Sequence, residues 1–87
     1  MRLIFSEPAA KTIAKLPPAL ARRIVQKMQW FAVQEDPLSF AKALKDFAFG
    51  SHRFRIGDYR VLVDVKQGRI SILFVLAVKH RKDAYRL

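Results

Sequence analysis

The sequence predicts an α+β domain spanning residues 1–87: an N-terminal strand and a two-helix hairpin packed on a twisted antiparallel sheet of about four strands. Three observations carry that expectation. Apolar residues recur at three- and four-residue spacing before Pro37. They alternate with polar ones after Ser51. Two turn dipeptides, Gly57-Asp58 and Gln67-Gly68, divide the alternating half.

Each element has a local reason. "RLIF" is a short strand. Ser6 is a helix N-cap, with Glu7 and Pro8 in the first turn. The helix it opens carries Ala9, Ile13 and Leu16 on one face. Pro17 ends it, and Pro18 starts the next helix, which runs to about Glu35. In that helix Leu20, Ile24, Met28 and Phe31 point one way, and Arg22, Arg23, Gln26 and Lys27 the other. A junction this tight predicts an antiparallel hairpin. Pro37 opens a connecting segment, "PLSFAKALKDFAFGS", with room for a helical turn. Its Leu38, Phe40, Leu44, Phe47 and Phe49 suit packing on the core. Three strands follow, at about 52–56, 59–66 and 69–78.

Composition bounds the partners. Seventeen Lys and Arg against seven Asp and Glu give a net charge of +10, and the pI is near 10.8. Such a chain attracts a polyanion or an acidic protein. The apolar fraction of 52% argues against disorder. There is no cysteine, hence no disulfide framework and no thiolate zinc site. "MRLIFSEPAAK" lacks the apolar run of a secretory leader. The longest apolar run, "ISILFVLAV", is too short to span a bilayer. The expectation is a cytoplasmic protein with no membrane partner.

The stretch "HRFRIGDYRVLVDV" packs three arginines among strand residues. If both turns are two-residue loops, Arg55 lies opposite Arg60, Arg53 opposite Leu62, and Arg60 opposite Val75. Arg53, Arg55, Arg60, Val75 and Ala77 then share one face. Leu62 and Leu73 complete an apolar floor there. Lys79 and Arg81 join that face if the last strand continues, while His80 points to the other. Phe54, Ile56, Tyr59, Val61, Phe74 and Leu76 face the helices. Like charges opposed in a sheet are destabilising, so a row of them is expected where function needs it. The alternative is a solvated face that happens to be basic.

The chemistry open to this chain is cationic. Two histidines, His52 and His80, and no Asp/Glu cluster give poor metal-ligand prospects, and three glycines make no phosphate loop. No cofactor is expected. Arginine binds phosphate bidentately and stabilises charge developing on it. An RNA substrate brings its own nucleophile, the 2′-OH. Arginines plus one proton carrier, from Lys79, His80 or Tyr85, would then suffice for metal-free cleavage. Arginine keeps its proton, so its role is electrostatic first. His52 reads as the start of a strand. Tyr85 could stack on a base or pack the tail onto the sheet.

"FSEPAAKTIAKLP", "KALKD", "HRFRIGDYRVLVDV" and the terminal "HRKDAYRL" together resemble the RelE/ParE toxin superfamily of bacterial type II toxin–antitoxin systems. The likeness runs over nearly the whole chain and implies a RelE-like fold. The RelE branch implies a ribosome-dependent mRNA endonuclease that cuts in the A site by 2′-OH attack, leaving a 2′,3′-cyclic phosphate. By motif, Arg53 and Arg55 resemble the paired basic positions, where relatives often carry lysine. Arg60 resembles the arginine that binds the scissile phosphate, and Tyr85 the stacking tyrosine. The further catalytic basic residue is Lys79, His80 or Arg81. The resemblance implies a cognate antitoxin, a ribosome carrying mRNA, and DNA contact only indirectly through the antitoxin. Direct covering of the basic face by an acidic antitoxin segment is the simpler route of neutralisation, because the chain stops two residues after Tyr85. Two other outcomes fit the same superfamily: a ParE-like inhibitor of DNA gyrase, and an inactive member whose basic face only binds.

Overall fold

A computed structural model describes residues 1–45 and 49–84. Strand β1 (Arg2–Phe5) leads to helices α1 (Glu7–Ala14) and α2 (Pro18–Ala32). A 3-10 turn (Pro37–Phe40) precedes β2 (Ala41–Ala43), and then come β3 (His52–Ile56), β4 (Tyr59–Lys66), β5 (Ile72–His80) and the short α3 (Arg81–Ala84). The sheet has five strands in the order β1-β5-β4-β3-β2. It is mixed: β1 pairs parallel with β5, and every other pair is antiparallel.

Ser6 caps α1 as expected, its Oγ accepting the Ala9 amide at 3.2 Å. α2 stops at Ala32 rather than Glu35. Its last carbonyls are taken by tightened i−3 bonds, such as Gln34 N–H to Phe31 O, and by the Met1 amino group, which donates to Ala32 O at 2.7 Å. Pro37 also disfavours helix at Asp36, which is non-helical at φ −129°, ψ 84°. The helices bury Ala9, Ile24, Met28, Phe31 and Ala32 against Phe54, Ile56, Val61, Val63, Leu73, Val75 and Val78 of the sheet. The Phe31 and Phe54 rings stack at 4.7 Å in the middle of that layer. Phe47 lies outside the described residues. Among those described, no helix is long and apolar enough to cross a membrane.

Three expectations need correction. β2 adds a fifth strand that "AKA" did not announce, since alanine and lysine are weak strand formers. The second connection is no two-residue turn: β4 ends at Lys66 opposite Ile72, so residues 67–71 form the loop. The β4–β5 ladder also carries a bulge. Leu62 pairs with Ala77 but Val63 pairs with Val75, leaving Leu76 as the extra residue. Arg60 consequently lies opposite Lys79, not Val75. Leu73 and Val75 face the helices with no exposure, so they form no part of the basic face's floor. Phe74, opposite Asp64, lies on the outer face instead. Leu76 joins it there, its Cδ1 lying 3.1 Å from where a Cβ on Gly50 would stand.

Candidate functional site

The side of the sheet away from the helices is built by alternation. On β3, Phe54 and Ile56 point into the core, which turns Arg53 and Arg55 outward. Gly57, at φ +56°, makes the tight turn with Asp58. The chain returns with Arg55 directly opposite Arg60 and Arg53 opposite Leu62, as the alternation predicts. Lys79 then stands opposite Arg60 on β5, and Lys42 opposite Arg53 on β2. Among the described residues, five neighbouring cations therefore stand in cross-strand register on this face, with Asp64 and Lys66 further along β4 on the same side. None of the five has an Asp or Glu as its cross-strand partner. The floor between them is Leu62, 4% exposed, and Ala77.

Arg60 is the most enclosed of the five, at 7% exposure. Its Nη1 donates to Gly57 O at 3.0 Å and Tyr59 O at 3.1 Å. Two of its five N–H donors are thus spent on carbonyls of the turn. Carbonyls orient the guanidinium without cancelling its charge, as a carboxylate would. Lys42, Arg53, Arg55 and Arg60, with Ser39, Phe40 and Ala41, line an open cleft of about 320 Å³. That volume and that lining suit one nucleotide-sized anion.

The remaining expected site residues fall into three places. Lys79 shares the face with Arg60. His80 does not: it pairs with Tyr59 on the other face, edge-on at 5.4 Å between ring centroids, and its Nδ1 accepts the Lys82 amide at 3.2 Å. Arg81 opens α3, its amide bound to Asp58 O at 2.6 Å and its Nε 3.8 Å from Asp58 Oδ1. Both Arg81 and Asp58 side chains are largely solvated. Tyr85 lies outside the described residues. His52 begins β3, its Nδ1 2.9 Å from Ser51 Oγ. Lys42 was missed by sequence reasoning. The only signal is the alternation Phe40, Lys42, Leu44 against Ala41 and Ala43, too short to read as a strand. Among the described residues, no three His, Cys, Asp or Glu side chains gather as a metal site would require.

Comparison with known proteins bears on this geometry. Residues 3–85 match the family model of the ParE toxin of type II toxin–antitoxin systems, parDE. The structure is similar to a chain of the toxin–antitoxin complex RelBE2 from Mycobacterium tuberculosis, with a TM-score of 0.73 and 26% identity over 92% of this chain and 96% of that one. It shares its fold with a chain of the RelB–RelE antitoxin–toxin complex from Methanococcus jannaschii, with a TM-score of 0.64 and 21% identity over 95% of both. No curated protein matches the chain significantly. The matched span takes in the whole sheet but for Arg2, with Lys42, Arg53, Arg55, Arg60 and Lys79, and on that basis the chain belongs to the ParE toxin family of type II toxin–antitoxin systems, within the RelE/ParE superfamily.

Proposed function

We propose that this toxin is a ribosome-dependent mRNA endonuclease that cuts in the A site without a metal, and that a cognate antitoxin neutralises it. The observation that carries the reading is the row of outward cations, Lys42, Arg53, Arg55, Arg60 and Lys79, the first four of which line an open cleft. In the proposed reaction the 2′-oxygen attacks the adjacent phosphorus and the P–O5′ bond breaks. The 2′-OH proton passes to a base, and the departing 5′-oxygen takes a proton. The products are a 2′,3′-cyclic phosphate and a 5′-hydroxyl. Arg60, held by the turn carbonyls, binds the scissile phosphate. Arg53 and Arg55 stabilise the charge gathering on its oxygens. Among the tail candidates Lys79 is the proton carrier that shares this face, whereas His80 faces away beside Tyr59. Tyr85 is assigned to base stacking.

The antitoxin assignment is supported by the similar structures, which are toxin–antitoxin complexes. A net charge of +10 makes an acidic antitoxin segment a fitting cover for the basic face. The reading sets the protein to work in the cytoplasm, where the ribosome is. A second reading, inhibition of DNA gyrase, is favoured by the match to the ParE family model.

The test adds the toxin, both as purified and after EDTA treatment and dialysis, to ribosomes translating a defined mRNA and maps cuts by primer extension, beside the same RNA without ribosomes. Cuts at A-site codons only with ribosomes, unaffected by chelation of toxin-bound metal and lost in Arg60→Ala, are expected. Intact RNA together with inhibited gyrase supercoiling would replace the nuclease by the second reading.

A further inference from the structure

The bulge in β5 decides what stands beside Arg60 at the edge of the basic cleft. Continuing the Val63–Val75 register without the extra residue would set Leu76 opposite Leu62, Val78 opposite Arg60 and Lys79 opposite Tyr59. Lys79 would then enter the helix-facing side of the sheet, and the cationic row would end at Arg60. With the bulge, Val78 is buried at 4% exposure and Lys79 stands beside Arg60.

Ser6 is bonded to this bulge. Its amide donates to Val75 O at 2.9 Å, continuing the β1–β5 ladder. Its Oγ donates to Leu76 O, also at 2.9 Å, across 70 residues of sequence. The same Oγ accepts the Ala9 amide at 3.2 Å. Because Ala9 N–H can only donate, the hydroxyl proton is committed to Leu76 O, the carbonyl of the extra residue. The cap of the first helix and the phase of the last strand thus meet in one hydroxyl.

We propose that Ser6 is a positioning residue for the RNA-binding face: by holding the Leu76 carbonyl it fixes the bulge and keeps Lys79 next to Arg60. The inference rests on the proposed RNA reading only for its functional consequence. Its structural content stands apart from that reading, since the register of β5 can be measured directly.

The experiment separates the two jobs of the hydroxyl. Ser6→Asp keeps a side-chain acceptor for the Ala9 amide but has no proton for Leu76 O. Ser6→Thr keeps both. Ser6→Gly, which is tolerated at a helix N-cap, removes the donor without adding charge and serves if the aspartate variant fails to fold. The first readout is the set of cross-strand backbone NOEs between Arg60 and Lys79 in the full chain. They are expected in the wild type and Ser6→Thr, and expected to be lost in Ser6→Asp or Ser6→Gly. Their retention in the donor-less variants overturns the proposal. The second readout is binding of a labelled 2′-O-methyl single-stranded RNA, which cannot be cut, as a function of salt. Losing one phosphate contact lowers the log–log salt slope by about 0.7. Lys79→Ala and Ser6→Gly are each expected to lower it by that amount, and the double variant by no more than either. Ser6→Gly adding its own decrement on the Lys79→Ala background overturns the route through Lys79. Lys79→Ala leaving the slope unchanged refutes instead the placing of Lys79 at the RNA, while the NOEs still decide the role of Ser6.

Discussion

Replacing Arg55 by glutamate should make the protein more stable and worse at binding RNA. Arg55 is exposed and lies directly opposite Arg60, which is held in place by the turn carbonyls. Opposed like charges in an antiparallel pair cost a few tenths of a kcal/mol, and opposed unlike charges gain about 0.2–1 kcal/mol. The swing from Arg–Arg to Glu–Arg is therefore about 0.5–1.5 kcal/mol at low ionic strength. In a domain this small each kcal/mol moves Tm by about 4–8 °C, so Tm should rise by roughly 2–12 °C. The gain is electrostatic between partly solvated groups. It should shrink when the screening length falls from about 30 Å in 0.01 M salt to about 3 Å in 1 M. Thermal unfolding by circular dichroism at those two salt concentrations measures both quantities. The Arg55→Glu protein should also bind single-stranded RNA more weakly, with a salt slope reduced by about 0.7 or more. An unchanged or lower Tm in low salt would refute the reasoning, as would a gain that persists in 1 M salt. Either result would mean that the opposed arginines are not a destabilising pair.

Two substitutions at the margins of the site follow from the same geometry. Gly50 sits at φ +109°, and a Cβ there would lie 2.6 Å from Val63 O, a backbone atom that cannot move aside, so Gly50→Ala should lower stability by about 2 kcal/mol or more, read as a lower urea midpoint. Asp58→Ala removes only a solvated 3.8 Å ion pair to Arg81 and leaves the Arg81 amide bond to the residue-58 carbonyl in place, so stability should change by less than about 0.5 kcal/mol in the same denaturation assay.

The elements that local chemistry specifies were legible in the sequence. Ser6 reads as a cap because serine before Glu-Pro has few other uses, and the structure has it accepting from Ala9. The β3–β4 hairpin reads correctly to the residue, since Gly57-Asp58 fixes a two-residue turn and the turn fixes the Arg55–Arg60 opposition. What stayed hidden depends on distant partners. β2 is three residues of poor strand formers that exist as a strand because β3 offers a free edge. The parallel pairing of β1 with β5 joins segments about 70 residues apart, which no local pattern announces. Lys42 was missed with its strand, so the basic face was read as smaller than it is.

The last strand shows why a face argument from alternation fails at one residue. "ILFVLAV" is apolar throughout, so alternation within it carries no information about which side each residue takes. Two requirements, one at each end, ask for a change of phase that the Ser6 bond to the Leu76 carbonyl then holds in place. At the start, Leu73 and Val75 fill the space beneath α1 and α2 and are wholly buried. At the finish, Lys79 is polar, and Tyr59 and Val61 occupy the inward positions across from its neighbours His80 and Val78. A regular strand cannot meet both: with Val75 inward, Lys79 would also point inward, and an unpaired ammonium in that layer would be costly. One extra residue between them reconciles the two ends. It turns Val78 into the core and Lys79 out beside Arg60. The Leu76–Ala77 irregularity is therefore where the packing of the core and the charge of the basic face, which disagree along a regular β5, are brought into agreement.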